Sequence, residues 1–154
     1  MGKRKPRYYW DSCVFIALLK DESAIHGERA MQRIEEMSRQ AIAGEIQLVT
    51  SSLWRLEVLP ANGRDGYEAM ASHFEQGSFL AAAATDEVFS KALEFRLRFG
   101  KRKLPLGDTI HLATAAVTRC STLFTLDKDL LGISSHVSEV RIVRPESETW
   151  LFEP

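Results

Sequence analysis

Cysteine is scarce in this chain of 154 residues: Cys13 and Cys120 stand alone, and no CxxC pair occurs. That excludes a disulfide-stapled scaffold and leaves two apolar-flanked positions that read as buried thiols of a reducing compartment. Long hydrophobic runs are missing too. The longest cover residues 13–19 and 79–84, too short to span a bilayer. Neither charge dominates, since 20 Lys and Arg oppose 21 Asp and Glu for a net charge of -1. A wholly electrostatic nucleic-acid binder is thereby excluded, although a local basic patch is not. The phosphate- and nucleophile-bearing signatures GxGxxG, GxxxxGK[ST] and GxSxG are absent. The four histidines, His26, His73, His111 and His136, are scattered without an HxxxH pair, which speaks against a zinc site. Lys3, Arg4, Lys5 and Arg7 precede the first apolar run as in a signal peptide, but Asp11 interrupts it, and Lys20, Asp21 and Glu22 follow where small residues belong. A cytoplasmic protein without membrane contact is expected.

What remains is an ordinary globular composition, 45% hydrophobic and 27% charged, with no repeat, low-complexity tract or linker. One domain over residues 1–154 is expected, with its core at about 7–144 and an apolar tail at 145–154 that holds Trp150 and Phe152. Short apolar runs alternate with longer helical periods, the pattern of an α/β domain whose central, mainly parallel sheet is flanked by helices. Strands are predicted at 7–10, 46–50, 78–84, 122–125 and 140–143. Helices are predicted at 12–19 with Ser12 as cap, at 24–43, from 53 to the residue before Pro60, and at 67–76, 86–99 and 108–120. Residues 61–66 carry turn chemistry, and Trp54 and Phe74 read as core.

The acids carry the functional signal. Asp11 directly follows the first strand, and Asp127 follows the fourth. In a parallel α/β sheet such positions line the ligand crevice. Asp108 opens the helix before the fourth strand, and Glu57 lies on the helix after the second. Each acid alone has a plain structural role as cap, turn former or solvated residue. Together they are able to converge on one end of the sheet. Two carboxylates about 4 Å apart repel by roughly 4 kcal/mol at an effective dielectric near 20. A divalent cation relieves this, and an all-oxygen site suits Mg²⁺ or Mn²⁺.

Four segments resemble the PIN-domain family, and within it the VapC-type ribonuclease toxins. They are Tyr9-Trp10-Asp11-Ser12, Glu57, the run from Leu106 to Ala115, and the run from Phe124 to Leu130. The resemblance spans roughly residues 7–144. It implies a Mg²⁺- or Mn²⁺-dependent endoribonuclease whose acidic quartet is Asp11, Glu57, Asp108 and Asp127, with Asp129 as the competitor for the fourth place and a further metal candidate. Ser12 matches the hydroxyl that follows the first aspartate, and Thr125 the polar residue placed to hydrogen-bond a carboxylate or water. An RNA substrate, a homodimer and a cognate antitoxin are implied as well. Arg98, Lys101, Arg102 and Lys103 are candidates for RNA phosphate contacts, competing with a role as dipole-matched cations at a helix end. His111, one turn from Asp108, faces either the site or a local hydrogen bond.

Two rivals stand beside this reading. One is a catalytically inactive module of the same fold that holds RNA or a protein, against which stands the point that a mere binder of phosphate gains nothing from clustered negative charge. The other is an α/β phosphotransfer enzyme: a phosphatase wants Asp-x-Asp at the first strand, where this chain has Asp11-Ser12-Cys13, and a receiver wants paired acids before its first helix and a lysine after a later strand, neither of which is evident.

Overall fold

The computed structural model describes residues 2–100 and 104–147. Its strands are β1 (Arg7–Trp10), β2 (Gln47–Ser51), β3 (Phe79–Ala82), β4 (Thr122–Phe124) and β5 (Arg141–Val143). They form one sheet in the order β3-β2-β1-β4-β5, and every pairing is parallel. Parallel neighbours need crossovers, which helices supply. Between β1 and β2 lie α1 (Ser12–Lys20), α2 (Ser23–His26) and α3 (Glu28–Ile42). Next, α4 (Trp54–Glu75) leads to β3, and α5 (Asp86–Phe99) and α6 (Leu106–Val117) lead to β4. Finally α7 (Lys128–Gly132) and a 3-10 turn (Ser134–His136) lead to β5.

Side-chain alternation along the strands builds two cores, one on each face of the sheet. Tyr9, Val49, Leu123 and Ile142 point to the face covered by α5, α6 and α7, where Val88, Phe95, Leu112 and Leu130 are buried. Their neighbours Trp10, Leu48 and Phe124 point to the face covered by α1, α3 and α4. There Phe15, Ile34, Met37, Trp54 and Met70 join them, and Trp54 stacks on Phe74 at 4.9 Å. Each large apolar side chain fully buried in this way contributes roughly 1.5–3 kcal/mol. No described helix is long and apolar enough to cross a membrane.

Several boundaries differ from the sequence expectation. The helix expected at 24–43 is broken at Gly27, whose φ of 91° only glycine adopts readily. Pro60 does not end its helix: α4 runs through it, and the non-helical residue is Gly63, at φ 67°. A proline removes one hydrogen bond, whereas a left-handed glycine redirects the chain, so the glycine sets the kink. The helix expected from 108 begins at Leu106, directly after an extended Pro105. The short α7 and the 3-10 turn were not legible in the pattern. Thr85 caps α5 through Val88 N–H. Ser12 is not a cap: Asp11 occupies that position at α1 without a side-chain capping bond.

Candidate metal centre

The strand order reverses around β1. The chain builds outward to β2 and β3, then returns to place β4 on the other side of β1. Crossovers therefore leave in opposite directions at the β1/β4 boundary and open a crevice at the C-terminal ends of the two strands. Asp11 is the residue after β1, and it is 3% exposed. The Trp10↔Phe124 register sets it opposite Thr125, with Asp11 N–H donating to the Phe124 carbonyl at 3.2 Å. Its carboxylate does not cap α1. Instead Oδ2 accepts from the Thr125 hydroxyl at 2.9 Å and from Cys13 Sγ at 3.2 Å. Thr125 Oγ1 in turn accepts from Asp127 N–H at 3.0 Å, so one hydroxyl ties together the acids of both strand ends. Burial, reinforced by the Asp11 charge, pushes the Cys13 thiol well above its ordinary range, so Cys13 serves here as a neutral donor.

Asp127 caps α7: its Oδ1 accepts from Asp129 N–H at 2.8 Å. The cap is thus Asp127 and not Asp129. Asp129 is exposed and gives its backbone, not its carboxylate, to the arrangement. Asp108 sits in the first turn of α6, at the positive end of the helix dipole. Carboxylate oxygens of Asp11, Asp108 and Asp127 lie within 4.8 Å of one another. A fully ionised pair at that distance repels by roughly 3.5 kcal/mol at an effective dielectric near 20. The repulsion is relieved by a proton. Burial, a hydrogen bond to Asp127 and the charges of Asp11 and Asp127 lift Asp108 from the ordinary carboxyl range to about 8, against a smaller opposing pull from His111. Asp108 Oδ2 is buried without a hydrogen-bond partner. An orphaned carboxylate oxygen in a trio of hard oxygen donors fits a divalent cation, which would replace the proton as the neutralising charge.

Glu57 approaches from the first turn of α4. Its Oε1 accepts from Ser12 Oγ at 3.2 Å and lies 2.6 Å from His111 Nε2. His111 Nε2 is also 3.5 Å from Asp11 Oδ1, so Asp11, Glu57 and His111 form a second group whose ligand atoms lie within 4.8 Å of one another. Asp11 belongs to both groups. Burial alone would depress His111, but the Glu57 hydrogen bond and the Asp11, Glu57 and Asp108 carboxylates together raise it above the ordinary imidazole value. Behind it, Nδ1 meets the Tyr9 hydroxyl at 2.6 Å.

All four acids of the quartet, with Ser12 and Thr125, are thus brought to one crevice. Asp129 is in neither carboxylate group found among the described residues. Arg98 lies elsewhere, held by Glu139 through two 3.0 Å hydrogen bonds and packed on Phe95. Lys101, Arg102 and Lys103 lie outside the described residues. Sequence reasoning gave Tyr9 no part in the site and left His111 between two roles. The one available signal was the single helical turn from Asp108 to His111. The aromatic strand concealed Tyr9, which reads as core.

Fold and crevice together define an α/β domain with an acidic cleft at its topological switch point. The PIN domain profile matches residues 8–134, and the chain belongs to this family. Comparison with curated proteins finds no match. Among solved structures, a toxin–antitoxin complex from Klebsiella pneumoniae aligns with a TM-score of 0.56 at 21% identity, covering 90% of this chain and 97% of that one. VapBC2 from Rickettsia felis, bound to a DNA fragment from its promoter, aligns with a TM-score of 0.63 at 10% identity, covering 90% and 98%. At such identities the likeness is one of fold.

Proposed function

We propose that this PIN domain is a Mg²⁺- or Mn²⁺-dependent endoribonuclease, the toxin of a toxin–antitoxin pair. The observation that carries the reading is the carboxylate trio Asp11, Asp108 and Asp127 within 4.8 Å, with Asp108 Oδ2 buried and unpartnered. A cation that joined the three acids would offset their mutual repulsion and give the orphaned oxygen a partner. Asp11, Asp108 and Asp127 would hold the ion, with Glu57, grouped with Asp11, as a further carboxylate at the site. When bound, the ion supplies the charge that polarises a phosphodiester and makes water a better nucleophile. Thr125 keeps Asp11 and Asp127 in register, and Ser12 orients Glu57. Two of its solved neighbours are a toxin–antitoxin complex and a VapBC assembly, which supports an antitoxin partner for this chain. A homodimer is part of the proposal. It is supported by an exposed apolar stripe on α5, where Phe89, Leu93 and Leu97 recur every fourth residue.

The test is cleavage of a mixed RNA pool by the purified chain with Mn²⁺, with Mg²⁺ and with chelator, followed by mapping of the new ends. Metal-dependent cuts that disappear in Asp11→Asn, with the fold retained by circular dichroism, are the expected outcome. Cutting that persists in chelator, or in Asp11→Asn, refutes the assignment.

A further inference from the structure

Glu57 differs from the other acids in how it is held. Asp11 is clamped by Thr125 and Cys13, and Asp127 by a backbone amide. Glu57 has a longer side chain that is 35% exposed, and its hydrogen-bond donors among the described residues are Ser12 and His111. His111 is fully buried, and its ring is gripped at both nitrogens. Ser51 N–H donates to the Tyr9 hydroxyl oxygen at 2.9 Å, Tyr9 meets His111 Nδ1 at 2.6 Å, and His111 Nε2 meets Glu57 Oε1 at 2.6 Å. The line runs from the backbone of β2, through β1 and α6, to the carboxylate on α4.

The hydrogen positions follow from this geometry. With Ser51 N–H filling one acceptor site of the Tyr9 oxygen, the phenol hydrogen is free to point at Nδ1, which leaves the imidazole hydrogen on Nε2, facing Glu57. In the imidazolium form Nε2 carries a hydrogen as well. The remaining tautomer would set a nitrogen lone pair 2.6 Å from a carboxylate oxygen, which is repulsive. Both favoured states therefore present the same N–H to Glu57.

We infer that His111 is a positioning residue: it holds the Glu57 carboxylate over the acid cluster, with its own ring aligned by Tyr9, whose hydroxyl is pinned to the sheet. The inference rests on the reading of Glu57 as a metal carboxylate. Partners of this kind typically change metal affinity about 10–100-fold when removed.

Two substitutions separate positioning from packing. In His111→Gln the amide reaches the place of Nε2, so it still donates to Glu57 but loses Tyr9. In His111→Asn the amide stops near Nδ1, so it keeps Tyr9 but loses Glu57. Mn²⁺ affinity is measured by electron paramagnetic resonance and calorimetry on the full chain, alongside thermal stability. The expected result is a loss of about 10–100-fold in His111→Asn and a markedly smaller loss in His111→Gln, which keeps the donor to Glu57 but not its alignment by Tyr9, whatever their melting temperatures. In a Glu57→Ala background, His111→Asn is expected to cause no further loss, because it acts through Glu57. Should His111→Asn fail to fold, Tyr9→Phe carries the same test: its ring still packs, but the imidazole loses its alignment and Mn²⁺ affinity is expected to fall. Wild-type affinity in His111→Asn, or equal losses in both His111 variants, overturns the inference while leaving the metal reading intact. A wild-type chain without Mn²⁺ affinity overturns both.

Discussion

Asp108→Asn tests the electrostatics of the cleft more sharply than any other change. In the metal-free protein Asp108 keeps its proton up to about pH 8, whereas in the unfolded chain it releases that proton near its ordinary value of 3.8. Across this window the native state binds more protons than the unfolded state, so stability is greatest at low pH and falls as pH rises, levelling off above about 8. Asparagine does not titrate and escapes the fall. Three pH units between 5 and 8, at roughly 1.4 kcal/mol each, bound the effect near 4 kcal/mol. Water reaching the half-buried carboxyl screens much of this, and about 1–2 kcal/mol is the working expectation. In a chain of this size that is a widening of about 3–6 °C in melting temperature between Asp108→Asn and wild type, in favour of the variant. Saturating Mn²⁺ should invert the order. A ligand at 100 times its Kd adds about 2.7 kcal/mol to the wild type, and the variant lacks one of the carboxylates that would collect it. Differential scanning fluorimetry at pH 5, 6.5 and 8, with chelator and then with Mn²⁺, reads both effects. A difference that stays flat with pH in chelator refutes the repulsion argument, and a wild type indifferent to Mn²⁺ refutes the cation.

Other perturbations probe the rest of the arrangement. Thr125→Val removes the donor to Asp11 and the acceptor of Asp127 N–H. It should cost about 1–3 kcal/mol in urea unfolding and weaken Mn²⁺ binding; unchanged affinity would show that the clamp is dispensable. Asp127→Ala should lose both cleavage and the α7 cap, the latter at about 0.5–2 kcal/mol, while Asp129→Ala stays near wild type in RNA cleavage; the reverse order would move the fourth acid to Asp129. Leu93→Glu with Leu97→Glu should convert a dimer to a monomer in light scattering, and a mass unchanged from wild type would remove the α5 stripe from the interface.

Much of this protein can be read before it folds. The strands announce themselves through β-branched and aromatic runs, because a residue that fits a pleated, half-buried surface does so wherever the strand lands. The acids were legible for a related reason. Asp11 and Asp127 follow strands directly, and in parallel sheets the ends of strands are where ligands meet the fold. Local chemistry misled where two signals competed within a few residues. Pro60 looked like a helix stop and Gly63 like part of a loose turn, yet the backbone tolerates the lost hydrogen bond and bends at the left-handed glycine. Asp127 and Asp129 both suit a cap, and only the backbone path after β4 selects between them.

The one-dimensional pattern by itself determined the layered class, the placement of the apolar faces and which acids stand at strand ends and helix starts, all of which depend on residue type and on neighbours a few positions away. Only the tertiary structure decided what those acids touch. Tyr9 and His111 are 102 positions apart, Ser12 and Glu57 are 45 apart, and Asp11 and Thr125 are 114 apart. No periodicity encodes such pairings. They exist because the strand order turns around β1 and brings β4, α4 and α6 to one end of the sheet. There, the Tyr9 phenol and the His111 imidazole are buried and must find hydrogen-bond partners, and crowded carboxylates must share a proton or a cation.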